Sequence, residues 1–175
     1  KDKGQLDEAE GLYRRALVID EAEARNRCVF AGKEAAHGPN TGRTVNNLAL
    51  VLKDKGQLDE AEGMFRRALA IKEAAHGPDH PDTGIAVNNL ASVLKDKGQL
   101  DEAEEMSRRA LAINEATLGP YHPDTGITVF QIAEVLMDNG QLEEAEEMFR
   151  RALAIFEAAY GPAHLNTGMV MNKLA

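Results

Sequence analysis

No tryptophan occurs in these 175 residues, and tyrosine and phenylalanine together supply only eight side chains. Any core must therefore be aliphatic, built from Leu, Ile, Val, Ala and Met. One cysteine, Cys28, excludes an internal disulfide and makes a reducing compartment, the cytoplasm, the simplest expectation. No apolar run approaches about 18 residues, so neither a spanning helix nor a membrane partner is expected. The opening Lys1-Asp2-Lys3-Gly4 lacks the pattern of a secretory signal. Positive charge is also scarce: 20 Lys+Arg against 29 Asp+Glu leave a formal net charge of −9. That argues against a nucleic-acid partner, because phosphates call for a basic face. Phosphate-cradling loops are missing, with neither G-x-x-x-x-G-K-[ST] nor G-x-G-x-x-G in the chain.

What is present is repetition. KDKGQLDEAE begins at 1, 53 and 95, and the variant MDNGQLEEAE at 137, so the last three copies are 42 residues apart. RRALAI at 66, 108 and 150 and Gly-Pro at 77, 119 and 161 keep the same period. A period this regular signals stacked supersecondary units, none of which buries its apolar face alone.

Each unit reads as two helices. In 82–98, Asp82 or Thr83 is placed to cap a helix whose apolar residues Val87, Leu90, Ala91 and Leu94 follow helical spacing. Lys95 and Lys97 fall in its last turn, and Gly98 suits the left-handed residue that ends it. This is helix A. Helix B follows at once, with Asp101, Glu102, Glu104 and Glu105 at its start and the stripe Leu100, Ala103, Met106, Ala110, Leu111 and Ile113. Glu62–Arg66, Glu104–Arg108 and Glu146–Arg150 are i,i+4 pairs in the favourable order. The alanines at 49, 91 and 133 on helix A, and at 61, 103 and 145 on helix B, permit close helix approach.

Val45-x2-Leu48-Ala49-x2-Leu52 followed by Ala61-x3-Phe65, and the equivalent residues from Val129 to Phe149, resemble the tetratricopeptide repeat. Gly77-Pro78-Asp79-His80-Pro81-Asp82-Thr83, Asn88-Asn89-Leu90-Ala91 and Gly98-Gln99-Leu100-Asp101-Glu102-Ala103-Glu104 resemble the longer, kinesin light chain type of that repeat. The resemblance implies an all-α fold: a right-handed α-α superhelix of antiparallel helix pairs. It covers residues 1–175 as one array, with an irregular first unit (1–40), repeats at 41–81, 82–123 and 124–165, and the first helix of a further unit at 166–175. The family's usual helix-A Tyr is Leu here. Ser107 replaces the helix-B aromatic of the third unit, leaving an under-filled site. Neither end of the chain carries a polar cap, so a fragment of a longer array is expected.

The first unit breaks the period. Thirteen residues, Asp20 to Gly32, separate Ile19 from Lys33, where KEAAHGP resumes. Thirteen steps of about 100° turn a helix face by about 220°. A looped-out or kinked insert at 20–32 is therefore expected, with Gly32 as the break.

No catalytic group stands out, so an enzyme, a metal site or a cofactor is not expected within these residues. His80, His122 and His164 recur one repeat apart, near 10 Å by helix-packing distance, and metal ligands must lie within about 2–2.6 Å of one ion. A structural role in the inter-repeat loop follows, and His37 and His76 belong to the same class. Cys28 has no histidine near it in sequence and reads as a free thiol. The arginine pairs at 14–15, 66–67, 108–109 and 150–151 sit beside helix-B glutamates and read as a solvated face.

Helix A lines the concave groove of the fold this chain resembles. Asn46, Asn47, Asn88, Asn89 and Asn172 recur there in or near register, with Gln131 in one slot. Carboxamides both donate and accept and so can pair with the backbone of an extended peptide; in the resembling family, asparagines at these positions do so. Lys53 and Lys95 add attraction for acidic peptides. Phe130 replaces an Asn and reads either as an anchor pocket or as a break in the row. Specificity is assigned to positions 43, 50, 85, 92 (Ser92), 127 and 134. The expected function is a scaffold for protein or peptide partners. One alternative is the cargo-binding region of a kinesin light chain, which would bring the kinesin heavy chain complex as partner and a cytoskeletal association. Another is the sensor array of a signalling ATPase or other enzyme whose catalytic domain lies elsewhere.

Overall fold

The computed structural model describes residues 2–31 and 40–174, without the side chains of 26–31. All regular structure among the described residues is helical. The chain divides into two compact units, Lys1–Pro78 and Asp79–Ala175. The first holds α1 (Lys3–Ala31), α2 (Thr41–Asp54) and α3 (Leu58–His76). The second holds α4 (Pro81–Asp96), α5 (Leu100–Thr117), α6 (Pro123–Asp138), α7 (Leu142–Tyr160) and α8 (Leu165–Leu174). Within each unit every helix packs on its neighbour in the chain. Helices α2, α4, α6 and α8 are the helix-A elements, and α1, α3, α5 and α7 the helix-B elements.

The A-to-B turn is built from local chemistry. Gly98 takes φ +74°, the Gly98 amide donates to the Lys95 carbonyl at 2.8 Å, and the Gln99 amide donates to the Leu94 carbonyl at 2.9 Å. This satisfies the last carbonyls of α4 and aims the chain straight into α5. The alanines expected to let helices approach (49, 61, 91, 103, 133 and 145) are all buried. Phe65 and Phe149 fill the helix-B aromatic position, also buried.

Helix A starts two to three residues earlier than the sequence suggests. The caps are His80, His122 and His164, not Asp82 or Thr83. Each imidazole Nδ1 accepts the amide N–H two residues on: Asp82 at 3.1 Å, Asp124 at 3.2 Å and Asn166 at 3.2 Å. Pro81 and Pro123 then open their helices at a position that needs no N–H donor.

The looped-out insert is a correction. Helix α1 runs without interruption from Lys3 to Ala31, through Asp20 and beyond. The stretch from Asp20 to Ala31 has no Gly or Pro, and its Ala, Glu and Arg are strong helix formers. Leu17 and Ala24, two turns apart, continue one buried face. The polar residues between them find partners: the Thr44 hydroxyl donates to Asp20 at 2.8 Å, and Arg67 pairs with Glu21. These are the contacts that Asn114–Thr128 and Glu115–Arg151 make at the same repeat positions, so α1 passes Asp20 and Glu21 in the repeat's own register; Ile19 is exposed, whereas its counterpart Ile71 in α3 is buried against Gly42 of the A helix before it. Gly32, the expected break, lies outside the described residues, as do His37 and the Gly38-Pro39 connection; the side chain of Cys28 does too.

Candidate functional site

In unit 2 the exposed sides of α4, α6 and α8 carry the residues of interest. Ile85, Ile127 and Met169 occupy the same repeat position on the three helices, and all are exposed. Asn88 and Asn89 on α4 and Gln131 on α6 are half-buried, and Asn172 on α8 is exposed. Two of these amides have an oxygen enclosed by protein and without a hydrogen-bond partner: Asn88 Oδ1 and Gln131 Oε1. Asn89 already interacts with neighbouring groups, as does Ser92. In unit 1, Asn46 and Asn47 lie half-buried on α2, and Asn46 and Lys53 already have partners.

Phe130 stands at the edge of an apolar cavity of about 220 Å³, lined by Ile127, Phe130, Phe156, Asn166 and Met169. Its ring packs edge-on against Phe149, with centroids 5.5 Å apart. Phe156 forms the floor and stacks on Tyr160, which stacks on His164. Sequence reasoning flagged Phe130 but missed Phe156. The signal was available, because the same register holds Lys72 and Asn114 in the preceding repeats. Both aromatic departures fall in one repeat, and they meet in space.

Lys95 does not offer a free cation. Its Nζ donates to Glu134 Oε2 at 2.8 Å, and Lys173 from α8 reaches the other oxygen at 3.1 Å. Burial disfavours ionisation of Glu134, but the two lysine hydrogen bonds outweigh it and hold its carboxyl below the usual range. Between α4, α5 and α6 lies a second, smaller cavity of about 50 Å³, bordered by Ser92, Lys95, Ser107, Gln131 and Glu134. The absence of an aromatic ring at Ser107 leaves this space, as the sequence indicated.

The helix-B arginines form a ladder of ion pairs rather than a free basic face. Arg14 bonds Glu10 at 2.7 Å within α1 and Glu60 at 2.5 Å on α3. Arg108 repeats this with Glu104 at 2.8 Å and Glu144 at 2.6 Å on α7. Arg151 pairs with Glu115. The i,i+4 pairs Glu62–Arg66, Glu104–Arg108 and Glu146–Arg150 are those the sequence indicated; Glu10–Arg14 joins them, and the links between successive B helices depend on stacking, which spacing alone does not reveal. No group of three or more His, Cys, Asp or Glu side chains able to hold a metal ion occurs among the described residues. None of the described helices is long and apolar enough to cross a membrane.

Paired helices presenting a row of amides and apolar side chains, with their charges tied off against one another, define a repeat scaffold. Residues 40–116, 85–133 and 127–175 match the family model of the tetratricopeptide repeat. The chain belongs to the tetratricopeptide repeat family. Among solved structures it is similar to a candidate kinesin light chain of Podosopora anserina with nearly identical TPR-like repeats. The TM-score is 0.77 at 25% identity, over 98% of this chain and 76% of that one. It is also similar in fold to BtubC (BKLC) from P. vanneervenii, with TM-score 0.76 and 20% identity over 97% of this chain and 66% of that one. The N-terminal domain of stress-induced protein-1 from C. elegans shares the fold at TM-score 0.57 and 13% identity, over 77% of this chain and 92% of that domain. No curated protein matches the chain.

Proposed function

We propose that the chain is a non-catalytic interaction scaffold and that the helix-A face of its second unit holds an extended peptide segment. The reading rests chiefly on the two partnerless amide oxygens, Asn88 Oδ1 on α4 and Gln131 Oε1 on α6. An unsatisfied buried acceptor costs about 1–3 kcal/mol, so a ligand that brings N–H groups relieves a cost already present. A peptide backbone supplies such donors regularly along its length. The half-buried amides turn about their terminal torsions to meet it. The row Ile85, Ile127 and Met169 and the cavity beside Phe130 offer apolar surface to its side chains. Asn89, Ser92 and Asn172 border the same face. In unit 1, Asn46, Asn47 and Lys53 occupy the equivalent positions on α2.

The test is selection of a displayed random-peptide library on the immobilised full chain, followed by titration of an enriched peptide in solution. Asn88→Ala combined with Gln131→Ala should weaken binding by about 1–3 kcal/mol, roughly 5- to 150-fold. Failure to enrich any sequence, or equal affinity for the double variant, overturns the reading.

A second reading, the cargo-binding region of a kinesin light chain, is favoured by the likeness to the P. anserina protein. It predicts co-purification of the parent protein with a kinesin heavy chain, and a parent that does not associate with that motor rejects it.

A further inference from the structure

We infer that the small cavity bordered by Ser107 and Gln131 is a subsite for the hydroxyl or carboxamide side chain of a bound peptide: serine, threonine or asparagine. This rests on the peptide-groove reading and assigns it a sequence preference.

The repeat itself shows that the space is unusual. Counterparts of Ser107 in the other B helices are Tyr13, Phe65 and Phe149. Phe65 and Phe149 are buried and close the interior of their repeats. A serine at this position removes a ring, and although Gln131 and Glu134 are larger than their counterparts Asn89 and Ser92, an open space remains. The cavity measures about 50 Å³. That exceeds the roughly 10–15 Å³ needed to hold one water, and it limits a guest to a small group of a few heavy atoms. Serine, threonine and asparagine side chains fit within that limit, whereas aromatic and long side chains do not.

Its chemistry is more selective than its size. Ser107 is 1% exposed, and its hydroxyl has no partner. Gln131 Oε1, on the facing helix, is also enclosed and partnerless. A hydroxyl offers both donor and acceptor capacity, and the amide oxygen only accepts. Both oxygens are enclosed as they stand, and a guest that both donates and accepts satisfies the two once the hydroxyl and the amide turn toward the cavity. An aliphatic guest satisfies neither, and a carboxylate turns acceptor against acceptor at Gln131 and lies beside the charge of Glu134. The cation at the rim does not change this, because Lys95 is bonded to Glu134. Half-buried Ser92, Lys95, Gln131 and Glu134 form the rim, so the cavity opens on the side where the groove amides stand.

The test uses the library-selected peptide and the full chain. Enriched peptides should carry Ser, Thr or Asn at one fixed position, and replacing that residue by Ala should weaken binding about tenfold, the value of one good hydrogen bond. Ser107→Ala should cost part of that factor against the original peptide, whose guest keeps its bond to Gln131, and nothing against the Ala peptide, which has no guest for Ser107 to meet. Ser107→Val, which fills the space with apolar atoms, should weaken the original peptide at least as much. Additive losses in the cycle, or unchanged binding by Ser107→Ala and Ser107→Val, would mean that the cavity holds only water and overturn the subsite. The groove reading survives that result if Asn88→Ala still weakens binding. If no peptide is enriched at all, both readings fall together.

Discussion

Lys95 on α4 and Glu134 on α6 lie 39 residues apart in the chain and 2.8 Å apart in space. The pair spans two successive A helices, and Lys173 extends it to a third. One half-buried carboxylate thereby ties together the face that carries the candidate site. Its lowered pKa fixes the sign of a pH effect. The carboxyl titrates below its ordinary value of 4.5 when folded. Its contribution to stability is therefore full above that value and is lost as pH falls through the lower folded one. Urea midpoints of the intact chain should show this carboxylate's loss as a fall below about pH 4.5. Glu134→Gln should reduce the fall within that acid window. A Gln variant with the same acid slope as the wild type would assign the effect to other carboxylates.

Gly126 and Gly63 are both helical glycines, and their alanine substitutions should have opposite signs. A Cβ at Gly126 would lie 2.8 Å from Ile155 Cγ2 and 2.9 Å from a Phe156 ring carbon. The branched Ile155 methyl cannot swing aside without leaving its rotamer, so overpacking should cost about 1–3 kcal/mol. At Gly63 nothing lies within 4 Å. There the alanine should stabilise by about 0.5–1 kcal/mol through helix propensity alone. Denaturation of the two single variants under identical conditions decides it, and a stabilised Gly126→Ala would show that α6 and α7 separate more readily than their packing implies.

This contrast also marks how far the sequence could be read. Period, helix pairing and the buried alanine and aliphatic positions follow from spacing, because they depend on residues within one unit. The under-filled site at Ser107 was legible as a departure from its own repeat. What spacing does not disclose is where a helix meets its neighbour. Gly126 reads as an unremarkable helix residue until Ile155 and Phe156, 29 and 30 positions later, are placed against it. Lys95 reads as a free groove cation until Glu134 is packed beside it. The continuation of α1 was hidden in the same way: Asp20 and Glu21 read as the start of an insert until Thr44 and Arg67 are packed against them, in the contacts that Asn114 and Glu115 make in a later repeat.

His122 caps α6 through its imidazole Nδ1, which accepts the Asp124 amide N–H at 3.2 Å. Removing a capping acceptor costs about 1 kcal/mol, and another good cap restores it. His122→Ala should therefore raise hydrogen exchange of the first-turn amides of α6 about fivefold, with His122→Asn close to wild type. Exchange that is equal in all three would assign the repeated histidines to loop packing, with Tyr160 on His164 as the precedent for such a contact.

Phe130 separates the two sides of the candidate site, and restoring the asparagine of the earlier repeats should exchange one specificity for another. The ring packs on Phe149 and forms one wall of the apolar cavity, so Phe130→Asn removes both contacts. Burial of one large apolar side chain is worth about 1.5–3 kcal/mol, and a peptide that anchors such a residue in the cavity should lose roughly 10- to 100-fold in affinity. The amide row gains a member in return, because Asn at 130 would align with Asn88 and Asn172 in the repeat register. Peptides that lack the apolar anchor should then bind the variant no worse than the wild type. Selecting the same library on both proteins separates these effects: the wild type should enrich a large apolar residue at a fixed position, and the variant should not. Identical enriched sequences from the two selections would place the anchor elsewhere on the array and leave Phe130 as a core residue whose edge happens to be exposed.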